Sequence, residues 1–137
     1  MKILITILTT FLLFITNLIF AQQSSITVTV QNMNSDAGKV GFALYQKDNF
    51  MGIPVQAKEG KITNGKTEVI FENVPSGVYA ITCYHDKNNN GQLDFASNGM
   101  PLEDYGASNN DMSFGPPRFE AAKFILEENN LNLEIKF

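Results

Sequence analysis

The chain has 137 residues, 44% of them hydrophobic, and ten basic against fourteen acidic side chains leave a formal charge of −4. A chain of this length buries one core, and its acidic balance repels polyphosphates and anionic bilayers, which argues against nucleic-acid binding. Cys83 is the single cysteine, so no disulfide can form within the chain, and His85 is the single histidine, so zinc sites needing two imidazoles from one copy are excluded.

The amino terminus comes first. Met1-Lys2 precedes an almost uncharged stretch over residues 3–20, and the polar run Gln22-Gln23-Ser24 follows Ala21. This reads as a secretory signal peptide over residues 1–21, cleaved between Ala21 and Gln22. The alternative is a retained anchor. A bilayer core needs roughly 20 apolar residues, however, and Thr6, Thr9, Thr10, Thr16 and Asn17 interrupt this stretch. Cleavage would leave residues 22–137 as one periplasmic or secreted domain without a stable membrane anchor, and loss of Lys2 would take its charge to −5, with nine basic and fourteen acidic residues. No cysteine follows the cleavage point to carry a lipid.

Apolar and polar residues alternate over 26–30 (Ile26-Thr27-Val28-Thr29-Val30) and again over 131–137, so both ends of the mature domain read as strands. Between them, residues 40–45 place Val40, Phe42 and Leu44 on one face. Residues 67–73 set Val69 and Phe71 opposite Glu68 and Glu72. Residues 78–85 make a fifth strand and 119–126 a sixth, although Phe119 and Phe124 differ in parity; a short seventh falls near 55–58. Asn64-Gly65 is the favoured pair for a two-residue type I′ hairpin, in which both central residues need positive φ. Asn34 to Gly38, Pro75-Ser76-Gly77 and Asn129-Asn130 mark further turns. With no helical run after residue 21, the pattern reads as an all-β antiparallel sandwich of about seven strands, a barrel being the alternative.

Residues 86–117 break the rhythm. About thirty residues rich in Asn, Gly, Asp and Pro are too many for an ordinary connection in a compact domain. The interspersed Leu93, Phe95, Met100, Leu102, Tyr105, Met112 and Phe114 argue for an ordered loop packed over one end of the sandwich.

That loop opens with His85-Asp86-Lys87-Asn88-Asn89-Asn90-Gly91-Gln92-Leu93-Asp94, which sets oxygen-bearing side chains at alternate positions and then a glycine. Calcium takes six to eight oxygens at about 2.3 to 2.6 Å, and D-x-[DN]-x-[DN]-G is how a backbone begins to supply them. Asp86, Asn88, Asn90 and Asp94 are the candidate ligands, with the Gln92 carbonyl filling in. The twelfth position holds Ser97 where a bidentate glutamate is expected, so Glu103 or Asp104 would have to reach back, and the absence of flanking helices argues against an EF-hand. So few carboxylates suit affinity of about 0.1 to 1 mM. The competing reading is an Asn-rich turn whose side chains bond their own backbone. His85 shares a strand face with Tyr79, Ile81 and Cys83, as a rim-of-core histidine would; as a ligand or general base it would combine with Asp86, Asp94 or Asp104 in a metal-assisted hydrolase.

Several blocks, taken together, carry a resemblance: Asn73-Val74-Pro75-Ser76-Gly77-Val78-Tyr79-Ala80, the His85 to Asp94 run, Gly99-Met100-Pro101, Tyr105-Gly106-Ala107-Ser108-Asn109, and Gly115-Pro116-Pro117-Arg118-Phe119-Glu120-Ala121-Ala122. They resemble the uncharacterised secreted bacterial proteins grouped as domain of unknown function 2141, over about residues 26–137. The Pro-x-Gly-x-Tyr turn of Pro75, Gly77 and Tyr79 is also similar to the turn in transthyretin-like and collagen-adhesin B-type sandwich domains. The resemblance implies an immunoglobulin-like or transthyretin-like sandwich and carries over no activity. The expected function is therefore an exported binding or structural module with a calcium-binding loop and a protein or carbohydrate partner, the hydrolase being the alternative. An exposed patch containing Phe50, Met51 or Phe95 would favour partner binding.

Overall fold

The computed structural model describes residues 23–111 and 115–137, and the expected signal peptide and the loop residues Met112 and Phe114 lie outside that range. Among the described residues no helix is long and apolar enough to cross a membrane. Eight strands are described: β1 (Ser24–Val30), β2 (Lys39–Tyr45), β3 (Gln56–Lys61), β4 (Thr67–Val74), β5 (Gly77–Asp86), β6 (Tyr105–Ala107), β7 (Phe124–Leu126) and β8 (Leu131–Ile135). They form an all-β sandwich.

One sheet has the order β4-β1-β8, the other β3-β2-β5-β6 with β7 beside the start of β5. β1 is central in its sheet, antiparallel to β4 and parallel to the carboxy-terminal β8, with Val28 opposite both Val69 and Leu133. The period-two pattern explains the inner faces. Ile26, Val28 and Val30 of β1 meet Val40, Phe42 and Leu44 of β2 and Tyr79, Ile81 and Cys83 of β5, all at most 2% exposed. Each such large apolar side chain contributes about 1.5–3 kcal/mol relative to exposure.

Three local devices hold the layers in register. Asn64 and Gly65 have φ of 53° and 69°, as a type I′ turn requires, and their N–H groups donate to the Asp36 carboxylate at 2.9 and 2.7 Å. In β4 the register against β1 slips by one residue between Phe71 and Val74, and Asn73 takes φ of 55° there. The bulge turns Val74 back into the core after Val69 and Phe71. At the β4–β5 turn the Tyr79 phenol donates to the Pro75 carbonyl at 2.9 Å.

The expected strand over 119–126 is only partly extended. Phe119–Ala122 forms one helical turn, α1, with the Ala122 and Lys123 N–H groups donating to the carbonyls of Arg118 and Phe119. Phe119 stacks edge-on against Phe50, which in turn meets Tyr45, while Ala122 is buried. One turn of helix lets Phe119 and Ala122 face inward together, and so resolves the parity mismatch between Phe119 and Phe124.

The long excursion is ordered across its described part, and it contributes a strand that periodicity did not reveal. β6 pairs with β5, matching Thr82 to Ala107 and Tyr84 to Tyr105. The excursion runs along the outer face of the second sheet, where an end-on position had been expected. Asn110 then covers the β8 edge, its amide donating to the Glu134 carbonyl and its carbonyl accepting from the Lys136 N–H.

Burial in this core pushes the Cys83 thiol far above its ordinary range. A folded value raised above the unfolded one, about 8.5, stabilises fully below that pH, and the contribution is lost as pH rises beyond it. The stability gap between the native protein and Cys83→Ala should therefore narrow as urea unfolding is repeated from neutral pH into the alkaline range. A constant gap would show that the thiol ionises equally in both states.

Candidate functional site

β5 ends on Asp86, which no solvent reaches. A carboxylate so placed must be met by donors. Its Oδ1 accepts the Asn90 N–H at 3.0 Å and its Oδ2 the Gly91 N–H at 2.9 Å, with Lys39 Nζ 4.0 Å away across the β2–β5 ladder. To aim those two N–H groups backwards the chain must curl, and it does so through Asn89 and Gly91 at φ of 58° and 80°. Asn88 Oδ1 accepts from Asn90 N–H and Asn90 Oδ1 from Gln92 N–H, both at 3.0 Å, which are the local Asx bonds of the turn.

The other candidate residues divide into two groups. Glu103 does reach back, accepting the Lys87 N–H at 2.8 Å and the Asp94 N–H at 3.2 Å, and is itself buried. The Asp94 carboxylate receives the Asn88 amide at 2.7 Å and the Asn90 amide at 2.8 and 2.9 Å. The structure thus links Asp86, Asn88, Asn90, Asp94 and Glu103 in one network. Gln92 joins it through its backbone N–H. Asp104 faces outward to Lys87 Nζ at 3.2 Å, and only its backbone carbonyl, accepting the His85 N–H, takes part in the packing.

His85 is sealed at 1% exposure, and its Nε2 donates to the Ala37 carbonyl at 2.7 Å, since a carbonyl oxygen can only accept. It sits in the core row of β5 and is not among the residues that line the groove beside this loop. Among the described residues no three His, Cys, Asp or Glu side chains form a group that could hold a metal. A cation in the loop would depend on amide and backbone oxygens as well.

Beside this loop lies a groove of about 840 Å³. Its floor is the outer face of the second sheet, where Gly41 and Ala43 of β2, Ala57 of β3 and Thr82 of β5 leave a trough of small side chains. Tyr84 lies across Gly41, since a Cβ there would stand 2.7 Å from the ring. Burial, with the Asp86 charge adding to it, raises the Tyr84 phenol above its ordinary range. Leu93, Phe95, Met100 and Tyr105 form the wall supplied by the excursion, and Tyr45, Met51, Pro116-Pro117 and the charged Lys58 and Glu59 of β3 also border the groove. Phe95, Met100 and Met51 remain 57%, 62% and 55% exposed. Phe50 does not join them; it is held between Tyr45 and Phe119.

The trough was not picked out from the sequence. One signal was there: in Val40-Gly41-Phe42-Ala43-Leu44-Tyr45 neither parity row is polar, as expected of a strand covered on both faces.

Asp86→Ala strands the Gly91 N–H, leaves the Asn90 N–H only the Asn88 Oδ1 acceptor, and should cost about 1–3 kcal/mol in urea unfolding. Asp94→Ala removes an acceptor from amides that water can reach and should cost less. Equal losses would show that the buried carboxylate does not anchor the loop.

No curated protein and no solved structure matches the chain. The family pattern described as uncharacterised protein conserved in bacteria (DUF2141) matches residues 28–134, from within β1 to within β8, and the chain belongs to that family.

Proposed function

We propose that residues 22–137 are an exported binding module, periplasmic or secreted, whose ligand sits in the groove on the outer face of the second sheet. The observation that carries this reading is the groove itself: concave, mostly apolar, with exposed Phe95, Met51 and Met100 at its walls. Binding sites share that character, apolar lining with few polar groups, in volumes of about 300–1,000 Å³. Exposed aromatic and methionine side chains gathered around one trough are costly in water unless a ligand covers them. In an isotope-labelled sample screened against glycans, peptides and amphiphiles, amide shifts from any binder should cluster at Ala43, Ala57, Thr82 and Phe95. Shifts confined to another face would overturn the reading.

Calcium in the Asp86–Asp94 loop is a second reading, favoured by the network joining Asp86, Asn88, Asn90, Asp94 and Glu103. Oxygen donors without nitrogen or sulfur suit a hard cation. The Asn88 and Asn90 amides now donate to Asp94, so a cation would require them to swap ends and present their carbonyl oxygens. Calcium bound only to the folded state would raise its stability by about 2.7 kcal/mol at a hundredfold excess over the dissociation constant. Identical melting in calcium and in chelator, for the native protein and for Asp94→Ala alike, would leave the loop as an Asx turn only.

A further inference from the structure

We propose that the groove takes the hydrocarbon tail of a single lipid-type amphiphile, with the polar end left at the open rim; this rests on the groove being a binding site at all. The first argument concerns the floor's backbone. Gly41 and Ala43 are paired on both sides, to Glu59 and Ala57 of β3 and to Tyr84 and Thr82 of β5, and Thr82 and Tyr84 are paired again to Ala107 and Tyr105 of β6. The two central strands of the floor therefore offer no free edge to the trough. A polypeptide laid over β2 and β5 would find no ladder to join there, and its own N–H and C=O groups would lose water without gaining partners.

The second argument concerns charge and hydrogen bonding. Glu59 is the carboxylate of the lining, and Lys39 Nζ neutralises it at 2.7 Å. Lys58 lies opposite Phe42 in the ladder, is exposed to solvent and also borders the groove. The Tyr105 phenol is committed to the Gly115 carbonyl at 3.2 Å. What faces the occupant is therefore chiefly carbon, with the Tyr45, Thr82 and Tyr84 hydroxyls and the Lys58 and Glu59 side chains as its few polar points. A glycan, which carries a hydroxyl on nearly every ring carbon, would be poorly matched by so few groups.

The third argument concerns shape. Met51 and Met100 are unbranched and adaptable, and such side chains mould to a chain that has no fixed form. A volume of about 840 Å³ suits one tail and does not suit a bilayer surface.

The test uses residues 22–137 and the neutral fluorophore N-phenyl-1-naphthylamine, with monodecanoylglycerol below its micelle concentration as competitor. Fluorescence should rise on adding protein and fall as the competitor displaces the probe. Ala57→Trp, which fills the trough from an exposed position, should weaken probe binding by about tenfold or more, while Ile125→Trp, on β7 away from the groove, should not. Should Ala57→Trp fail to fold, Phe95→Asp at the exposed wall serves the same purpose. Probe binding indifferent to the groove variants would overturn the proposal. Parallel arms use a xylan hexasaccharide and an extended proline-rich peptide. If one of these binds in an Ala57→Trp-sensitive way and the probe does not, the tail is the wrong ligand but the groove remains a binding site. If nothing binds, both readings fall.

Discussion

A carboxylate held away from water at the end of β5 sets the course of everything that follows it. Asp86 cannot be left without donors, and the nearest available are the N–H groups of residues four and five positions later. Satisfying it curls the chain into a tight loop, and Glu103 ties that loop at Lys87 and Asp94 from the other side. Two buried acids thereby do for the excursion what a hydrophobic core does for the strands. They hold it in one place while its apolar side chains face outward across the sheet.

The second sheet is consequently covered on both faces. Its inner face carries large side chains that interlock with β1, β4 and β8, whereas its outer face carries glycine, alanine and threonine beneath the excursion. The asymmetry makes physical sense, because a face that had to pack as densely as a core would fill the trough. Gly41 shows the same economy on a smaller scale: only without a Cβ does it leave room for the Tyr84 ring to lie over the strand. The floor is a hydrogen-bonded sheet, and buried carboxylates tie down the wall beside it.

Much of this was legible along the chain. Alternation located β1, β2, β4, β5 and β8, and Asn64-Gly65 announced its turn, because side-chain period and left-handed backbone are local properties. Glu103 or Asp104 was expected to reach back as a cation ligand; Glu103 meets the loop through the Lys87 and Asp94 N–H groups, and Asp104 pairs outward with Lys87. The failures were of another kind. The stretch at 119–126 divided into α1 and β7, because Phe119 had a ring partner in Phe50 that no local pattern reveals. β6 went unseen because three residues with a glycine at the centre carry no period; their extended form comes from pairing with Thr82 to Tyr84.

The amino-acid sequence by itself determined the class of fold, the inner faces of most strands, the turn chemistry and the resemblance to one bacterial family. These depend on spacing along the chain, on backbone preferences of Asn and Gly, and on blocks of residues read in order. Tertiary structure alone decided that His85 is sealed against the Ala37 carbonyl, that Asp104 faces outward while Glu103 turns in, and that the excursion runs over the outer sheet to form a groove. Those outcomes depend on which donors meet a buried charge and which surfaces remain after the core has formed, and such partners are fixed only when distant segments come together.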